Sequence, residues 1–553
     1  MKIFSFDIFD TCLVRKCGTP ENFFDVLSYR VFNGEVAEGD RQRFVMERWR
    51  AEYKACANDR ATLQDIYDCF SFAHPMLYSK EKLVQVELEC EKEMLVPVIS
   101  VKNKIAELRG AGHHIIFISD MYLSSEFIKL LLVRYDMFKD GDSLYVSCEE
   151  GVLKSTGKLF ELVREKERIS YKNWTHYGDN AKSDVLMPGK LGIKAIKIYH
   201  DYKPYPKLWI RNDSSTGYKF SGIMAGLSRA MHCANEDNSH KSFVLDIIAP
   251  YYCSFVYKVL KDANARGLSR LFFCARDAYQ MYRIAQRMAH LFPGIEIQYL
   301  YISRDALYKG DDSLKLKYFE QVGLTSKTGN CAIVDTTTSG LTLKYLNDLM
   351  VQNGYSKLFG YYFLLWDDKR KIEIEPECYH FEIMQAYIRD NSAYAPFLWH
   401  IWIFENFFGL NDQAKTVGYE MKEGKCVPVF SDSIGVEDCV QSDVSQWSKA
   451  HENLLGKYAD GFIETELYRY SKEIFNYIAL ATITSFFSNP DKTYLEALLG
   501  FRRGNTDKPY VKKESLIRLY RNRGNDSGWS LGTMRYNVPK WLSELKHLLK
   551  RII

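Results

Sequence analysis

Short apolar runs that each close on a polar residue recur over roughly residues 1–200, with amphipathic stretches between them. This alternation restricts the fold more than any other feature. Residues 3–9 (IFSFDIF) run into Asp10 and Thr11, and HHIIFISDMY, SLYVSCEE, NWTHYGDN and IKAIKIYH repeat the pattern. Between them VKNKIAELRGAG, SSEFIKLLLVRY and LFELVREKER have helical spacing. Runs this apolar suit strands buried on both faces, and parallel neighbours need a crossover helix. The expected fold class is α/β, with a doubly wound parallel sheet. From about residue 18 to 95 the chain changes character: FFDVLSYRVF, RFVMERWRAEY and KLVQVELECEKEML combine helical spacing with many charges. That is a helical insertion, not more sheet.

At 553 residues the chain exceeds what one hydrophobic core serves. A polar, irregular stretch over 201–240 reads as a linker between the first domain (1–200) and a second. Over 241–430, LFFCARD, IQYLYISRD, NCAIVDTTTSG and KLFGYYFLLWDD each run from strand into polar loop, which predicts a second α/β domain. Residues 431–553 read as mostly helical. The net charge of +4 is spread thinly, without the clustered basic face that a nucleic-acid partner requires. The 13 cysteines show no zinc-ligand spacing and read as reduced core residues of a cytoplasmic protein.

Acidic residues interrupt the opening MKIFSFDIFDT too early for a secretory signal. No stretch reads as a bilayer span. The most apolar, 396–410, contains His400, Glu405 and Asn406 and reads as a buried aromatic helix. The ending WLSELKHLLKRII (541–553) has one apolar and one basic face. It fits a helix docked on protein, or a peripheral contact with anionic lipid at the inner membrane.

Open parallel sheets hold ligands at the carboxyl ends of their strands. Four polar groups fall there. Asp7 ends the first strand, Ser119 ends IIFIS, Lys154 follows SLYVS in GVLKSTGKLF, and Asp179 ends THYGD with Asp184 five residues on. A carboxylate such as Asp7 can attack phosphorus and divide a difficult displacement in two. Mg2+ prefers carboxylate oxygens, here Asp7, Asp179 and Asp184, and would offset repulsion between Asp7 and an anionic substrate. Ser119 can hydrogen-bond a phosphoryl oxygen, and Lys154 can stabilise developing charge. Thr11 and the main chain at Ile8 and Phe9 would shape the pocket. Each type also has an ordinary use: Asp and Ser after strands cap turns and helices, and lysine sits in solvent.

Taken together, FDIFDTCL, FISDM, Lys154 with Phe160, and GDNAKSD resemble the four motifs of the haloacid-dehalogenase-like (HAD) superfamily. The resemblance implies an aspartate nucleophile at Asp7 and a Mg2+ site at Asp179 and Asp184, with the helical insertion as a cap over the site. The family's phosphatases place a general acid/base aspartate two residues after the nucleophile, and that position is Phe9. Asp10 comes one residue later and points away in an extended strand, so it replaces the missing acid only if the loop has turned. The acid comes from elsewhere, such as the cap; or the site resembles the dehalogenase or phosphonatase branches; or it binds a phosphorylated ligand without turnover. The acidic fourth motif favours a phosphorus-containing substrate.

In the second domain, NCAIVDTTTSGLTLKYL resembles a phosphoribosyltransferase loop through Asp335, Thr338, Ser339, Gly340 and Thr342, with Val334 in place of the first acid. Such a loop would bind phosphate at a helix N-terminus, but it also reads as a tight turn capped by Thr and Ser. CARDAY and ISRDAL each carry an Arg-Asp pair after a strand, which can clamp phosphate or pair with neighbouring loops. The order of motifs up to about residue 430 resembles large two-domain bacterial HAD-like proteins associated with surface-polysaccharide biosynthesis. That resemblance implies a Mg2+-dependent phosphohydrolase acting on a phosphorylated sugar or nucleotide sugar, with a glycosyltransferase as partner. The alternatives are a transferase centred on Asp335 and Gly340, and a non-catalytic ligand-binding scaffold.

Overall fold

In the computed structural model the residues described are 2–57, 60–199, 219–338, 340–365, 378–379, 403, 407–432 and 444–474, and beyond these 486, 490–499, 501, 511–515, 518, 527 and 529–538. The chain divides into two compact units, Met1–Asp237 with Glu464–Leu467, and Asn238–Ile463 with Tyr468–Ile553.

The first unit is built on five parallel strands: β1 (Ile3–Phe6), β4 (His114–Ser119), β5 (Ser143–Val146), β6 (Trp174–Gly178) and β7 (Lys194–Lys197). Their order is β5-β4-β1-β6-β7, so the first strand lies at the centre, flanked by β4 and β6. A central strand is covered on both faces, and all four residues of β1 are buried. Its one polar side chain, Ser5, is satisfied across the sheet. The hydroxyl accepts from Trp174 Nε1 at 2.7 Å and lies 2.7 Å from His176 Nδ1, its register partner on β6.

Ile3, Ile116, Ile118, Phe160, Val163 and Trp174 form the packed core on one side of the sheet. Phe160 is fully buried and meets Trp174 edge-on, with centroids 5.8 Å apart. Phe160→Ala is expected to destabilise this unit by about 3–5 kcal/mol through lost burial and the cavity left behind. Urea unfolding followed by tryptophan fluorescence measures it.

Two short antiparallel strands, β2 (Leu13–Arg15) and β3 (Leu95–Pro97), frame the helical insertion. Between them lie α1 (Pro20–Arg30), α2 (Glu38–Ala55), α3 (Leu63–Asp68) and α4 (Lys80–Met94). Local signals start three of these helices. Thr19 caps α1 ahead of Pro20, Thr62 and Asp65 form a capping box on α3, and Ser79 caps α4. Leu83, Val86, Cys90 and Met94 give α4 its buried face.

Within the stretch read as linker, Lys219–Ala234 is a helix that belongs to this first unit, while 201–218 lie outside the described residues. It approaches the entry to the insertion so closely that a Cβ on Gly226 would fall 2.5 Å from Gly18 Cα.

The second unit carries another parallel sheet: β8 (Arg270–Cys274), β9 (Glu296–Leu300), β10 (Cys331–Thr338), β11 (Phe359–Leu365) and β12 (Cys378–Tyr379), in the order β12-β11-β10-β8-β9. A hairpin, β13 (Thr416–Lys422) and β14 (Lys425–Phe430), was not expected from the sequence. Its two-residue turn, Glu423 and Gly424, has both φ positive, the conformation that suits a right-twisted hairpin.

Among the described residues one helical run, Lys241–Ala265, is long and apolar enough to cross a membrane, and 89% of its apolar window is buried inside the protein. The sequence reading placed the most apolar stretch at 396–410 instead, most of which lies outside the described residues. Beyond 430 the described elements are helical, Val444–Glu464 and Ser530–Asn537 among them. The amphipathic stretch 541–553 lies outside the described residues. Among the described cysteines all are free.

Candidate active site

The carboxyl ends of β1, β4 and β6 converge on one cavity of about 450 Å3, lined by Asp7, Asp10, Ser119, Lys154, Asp179 and Asp184 together with Phe24 and Glu52 from the insertion. Asp7 directly follows β1 and is anchored by its backbone N–H to Tyr177 O at 2.8 Å. Lys154 is 2% exposed. Its ammonium lies between two carboxylates, donating to Asp7 Oδ1 and to Asp184 Oδ1, the latter at 2.8 Å. Thr11 Oγ1 donates to Asp7 Oδ2 at 3.0 Å and reaches Asp179 Oδ1 at 3.5 Å, fixing the inner carboxylate's direction. Ser119 is buried at the end of β4 and lines the cavity, and its hydroxyl has no protein partner among the described residues.

Several supporting residues were not singled out in the sequence. His176 stands two residues before the end of β6, and its Nε2 lies 3.3 Å from Asp184 Oδ1 while Nδ1 faces Ser5. The ring thus ties Asp184 to the central strand. Asp120 accepts from the backbone N–H of Lys154 at 2.8 Å and of Ser155 at 3.3 Å. It holds the loop that carries the lysine. Gly178 is needed for room: a Cβ there would lie 2.7 Å from an Asp184 carboxylate oxygen.

The loop after Asp7 has turned. Cys12 and Leu13 both return their N–H groups to Ile8 O, and Asp10 has φ 57°, a left-handed conformation that aspartate tolerates better than most residues. Asp10 therefore reaches the cavity wall, which an extended strand would have prevented. Its Oδ1 is engaged by Arg229 Nη2 at 2.8 Å. Phe9 lies under the Arg15 guanidinium, 5.1 Å from ring centroid to Cζ.

Burial dominates the electrostatics. It pushes the Asp7 carboxyl up to about 7, with Lys154 opposing and Asp184 adding to the rise. Burial acts on Asp184 in the same sense, but the His176 hydrogen bond and the Lys154 charge hold it below the ordinary range. Lys154 is raised: burial works against its charge, and the two carboxylates outweigh it. Asp179 is raised by burial and by the neighbouring Asp10 and Asp184, with Lys154 opposing.

One oxygen from each of Asp7, Asp179 and Asp184 lies within 4.8 Å of the others. Three converging carboxylates against one shared lysine form an uncompensated anionic cluster of hard oxygen donors, which fits Mg2+. These three residues would hold it.

In the second unit the predicted residues are differently arranged. Asp335 lies within β10, whose pairing with β11 continues to Thr338, and its Oδ1 accepts from Thr336 N at 2.9 Å. Gly340, at φ 83°, precedes the helix Leu341–Gln352, and Thr342 lies in that helix's first turn. Ser339 and the Thr338 side chain lie outside the described residues. Ser303 caps the helix Arg304–Lys309, and Asp305 pairs with Lys309 and Lys415, so the SRD loop is occupied locally.

No protein-family model matches the chain, and no curated protein matches it. Solved structures match over little more than a third of the chain. A HAD family enzyme from Bacteroides thetaiotaomicron, in complex with magnesium and inorganic phosphate, is 14% identical over 38% of this chain and 98% of its own, with a TM-score of 0.29. A HAD-hydrolase from Bacillus subtilis bound to magnesium is 16% identical over 37% of this chain and 89% of its own, with a TM-score of 0.26. A HAD phosphatase from Thermococcus onnurineus is 17% identical over 37% of this chain and 90% of its own, with a TM-score of 0.27.

Proposed function

We propose that the first unit is a Mg2+-dependent HAD-type phosphohydrolase with Asp7 as nucleophile. The observation that carries this reading is Lys154, buried and bridging Asp7 and Asp184 at the mouths of β1 and β6. A lysine in that position orients Asp7, opposes the rise that burial imposes on its carboxyl, and presents positive charge to an incoming phosphoryl group. Asp7 would attack phosphorus to give an aspartyl phosphate, which water then hydrolyses. Ser119 and Lys154 would bind the phosphoryl oxygens, and Thr11 holds Asp7 in line. Mg2+ held by Asp7, Asp179 and Asp184 would supply charge neutralisation for substrate and nucleophile together.

A cavity of about 450 Å3 with a polar wall suits a phosphorylated sugar or the sugar-phosphate end of a nucleotide sugar. A place in surface-polysaccharide assembly, beside a glycosyltransferase, rests on the sequence resemblance and forms part of the same proposal. The test is phosphate release from a panel of sugar phosphates and nucleotide sugars in Mg2+ or EDTA, with acid quench and mass spectrometry. Release that requires Mg2+ and leaves a phosphoryl group on Asp7 is the expected result. Absence of release from the whole panel by folded, Mg2+-binding protein rejects it.

A further inference from the structure

The hydrolase reading leaves a gap: the position that would carry the general acid is Phe9, held under Arg15. Two carboxylates on the cavity wall outside the metal cluster come from loops of the sheet, and each is held by hydrogen bonds. Asp10 is engaged by Arg229, and Asp120 accepts two backbone N–H groups from the lysine loop. The insertion supplies a third, Glu52.

Charge matching in the insertion sets Glu52 apart. Arg15 and Glu91 form a bidentate pair, Nε to Oε2 at 3.1 Å and Nη2 to Oε1 at 2.8 Å. Arg48 and Glu87 form another, Nε to Oε2 at 2.9 Å and Nη2 to Oε1 at 2.6 Å, with Tyr67 Oη donating to Glu87 at 2.6 Å. Each arginine is thus matched by one buried carboxylate. Glu52 takes the remaining edge of Arg48, Nη1 to Oε2 at 2.9 Å, and is the carboxylate in excess. The Glu87 and Glu91 side chains are 0% exposed, whereas that of Glu52 is 23% exposed. Burial raises the Glu52 carboxyl, against the pull of Arg48 and with Glu87 adding to the rise. Its Oε1 has no partner among the described residues.

We propose that Glu52 is the general acid and base of this site, in the place that Phe9 leaves empty. This rests on the hydrolase reading above. As an Asp7 oxygen bonds to phosphorus and the bond from phosphorus to the leaving oxygen breaks, Glu52 gives its proton to that oxygen, and the alcohol departs. Glu52, now a carboxylate, takes a proton from the water that attacks the aspartyl phosphate. The bond from Asp7 to phosphorus breaks, Asp7 regains its carboxylate, and inorganic phosphate is released. With the acid on the insertion, protonation of the leaving group requires the insertion to be seated over the substrate.

The experiment compares wild type and Glu52→Gln on two substrates. One is a hexose phosphate hydrolysed by the wild type, whose alkoxide needs a proton to leave. The other is p-nitrophenyl phosphate, whose phenolate does not. Expected is a loss in kcat of about 10²-fold or more on the hexose phosphate, at least about tenfold greater than on the aryl phosphate. The alkaline fall of the wild-type kcat profile should also vanish in Glu52→Gln. The groups facing Glu52 are Arg48, Glu87, Arg15, Tyr122 and Cys56, so Glu87→Gln serves as the control for a shifted profile. Equal losses on both substrates, or none, overturn the role of Glu52 while the hydrolase reading stands. Wild-type protein that hydrolyses neither substrate in Mg2+ removes both.

Discussion

Asp7→Asn is expected to lower Mg2+-dependent phosphate release by on the order of 10⁴–10⁶-fold, the range that follows loss of an enzyme's nucleophile. The amide is nearly the same size and keeps the place of Asp7 beside Thr11 and Lys154. It removes one negative charge from a cluster of three carboxylates, two of which share the lysine. The protein should therefore remain folded, with a thermal midpoint equal to or above that of the wild type when Mg2+ is absent.

Lys154→Met makes the opposite exchange. It leaves Asp7 and Asp184 facing each other, both buried and without their cation. Breaking a buried pair from one side costs about 3–5 kcal/mol, so this variant should lose stability as well as turnover. Phosphate release and thermal unfolding, measured on both variants with and without Mg2+, separate the two cases. Activity retained by Asp7→Asn rejects the nucleophile. Unchanged stability in Lys154→Met rejects the account of the lysine as the charge that holds the cluster together.

What was legible in the sequence was local. The strands β1, β4, β5, β6 and β7 announce themselves as apolar runs, and Asp7, Ser119, Lys154 and Asp179 as the polar groups that follow them. A polar residue at a strand end needs only the parallel arrangement of its sheet to meet its counterparts. Contacts set by register or docking were not legible. His176 reaches Asp184 and Ser5 because β6 pairs with β1 in one register, across 171 residues of sequence. Arg229 reaches Asp10 through a helix whose buried face, Phe220, Ile223, Met224, Leu227 and Met231, has clear helical spacing. The polar segment before it masked that signal. Glu52 looked like one more charge on a charged helix, and only the pairing of Arg48 with Glu87 shows it to be in excess.

The second unit should lose stability as pH falls from about 6.5 to about 4. His240 and His451 meet in its interior, Nδ1 to Nε2 at 2.8 Å, and both are buried. Trp447 and Phe407 rings lie 4.5 and 5.4 Å from the His240 ring. A hydrogen bond between two imidazole nitrogens requires one to accept, so the pair holds while the acceptor is neutral. Burial pulls His240 down to about 4, and burial together with His240 pulls His451 below its ordinary value. A folded-state value below the unfolded one means that the unfolded chain takes up the proton first. The stabilisation is thus complete above about pH 6.5 and is lost as pH falls through the folded value. At about 1.4 kcal/mol for each unit, His240 alone accounts for about 3 kcal/mol, a large share of a typical domain's stability. Urea unfolding of the full chain, followed by the fluorescence of Trp447 against a Trp447→Phe reference, should show a midpoint that falls steeply over this window. Replacing both histidines with leucine removes donor and acceptor together, leaves no unpaired nitrogen, and should flatten the fall. An equally steep fall in the double variant would place the acid sensitivity elsewhere in the unit.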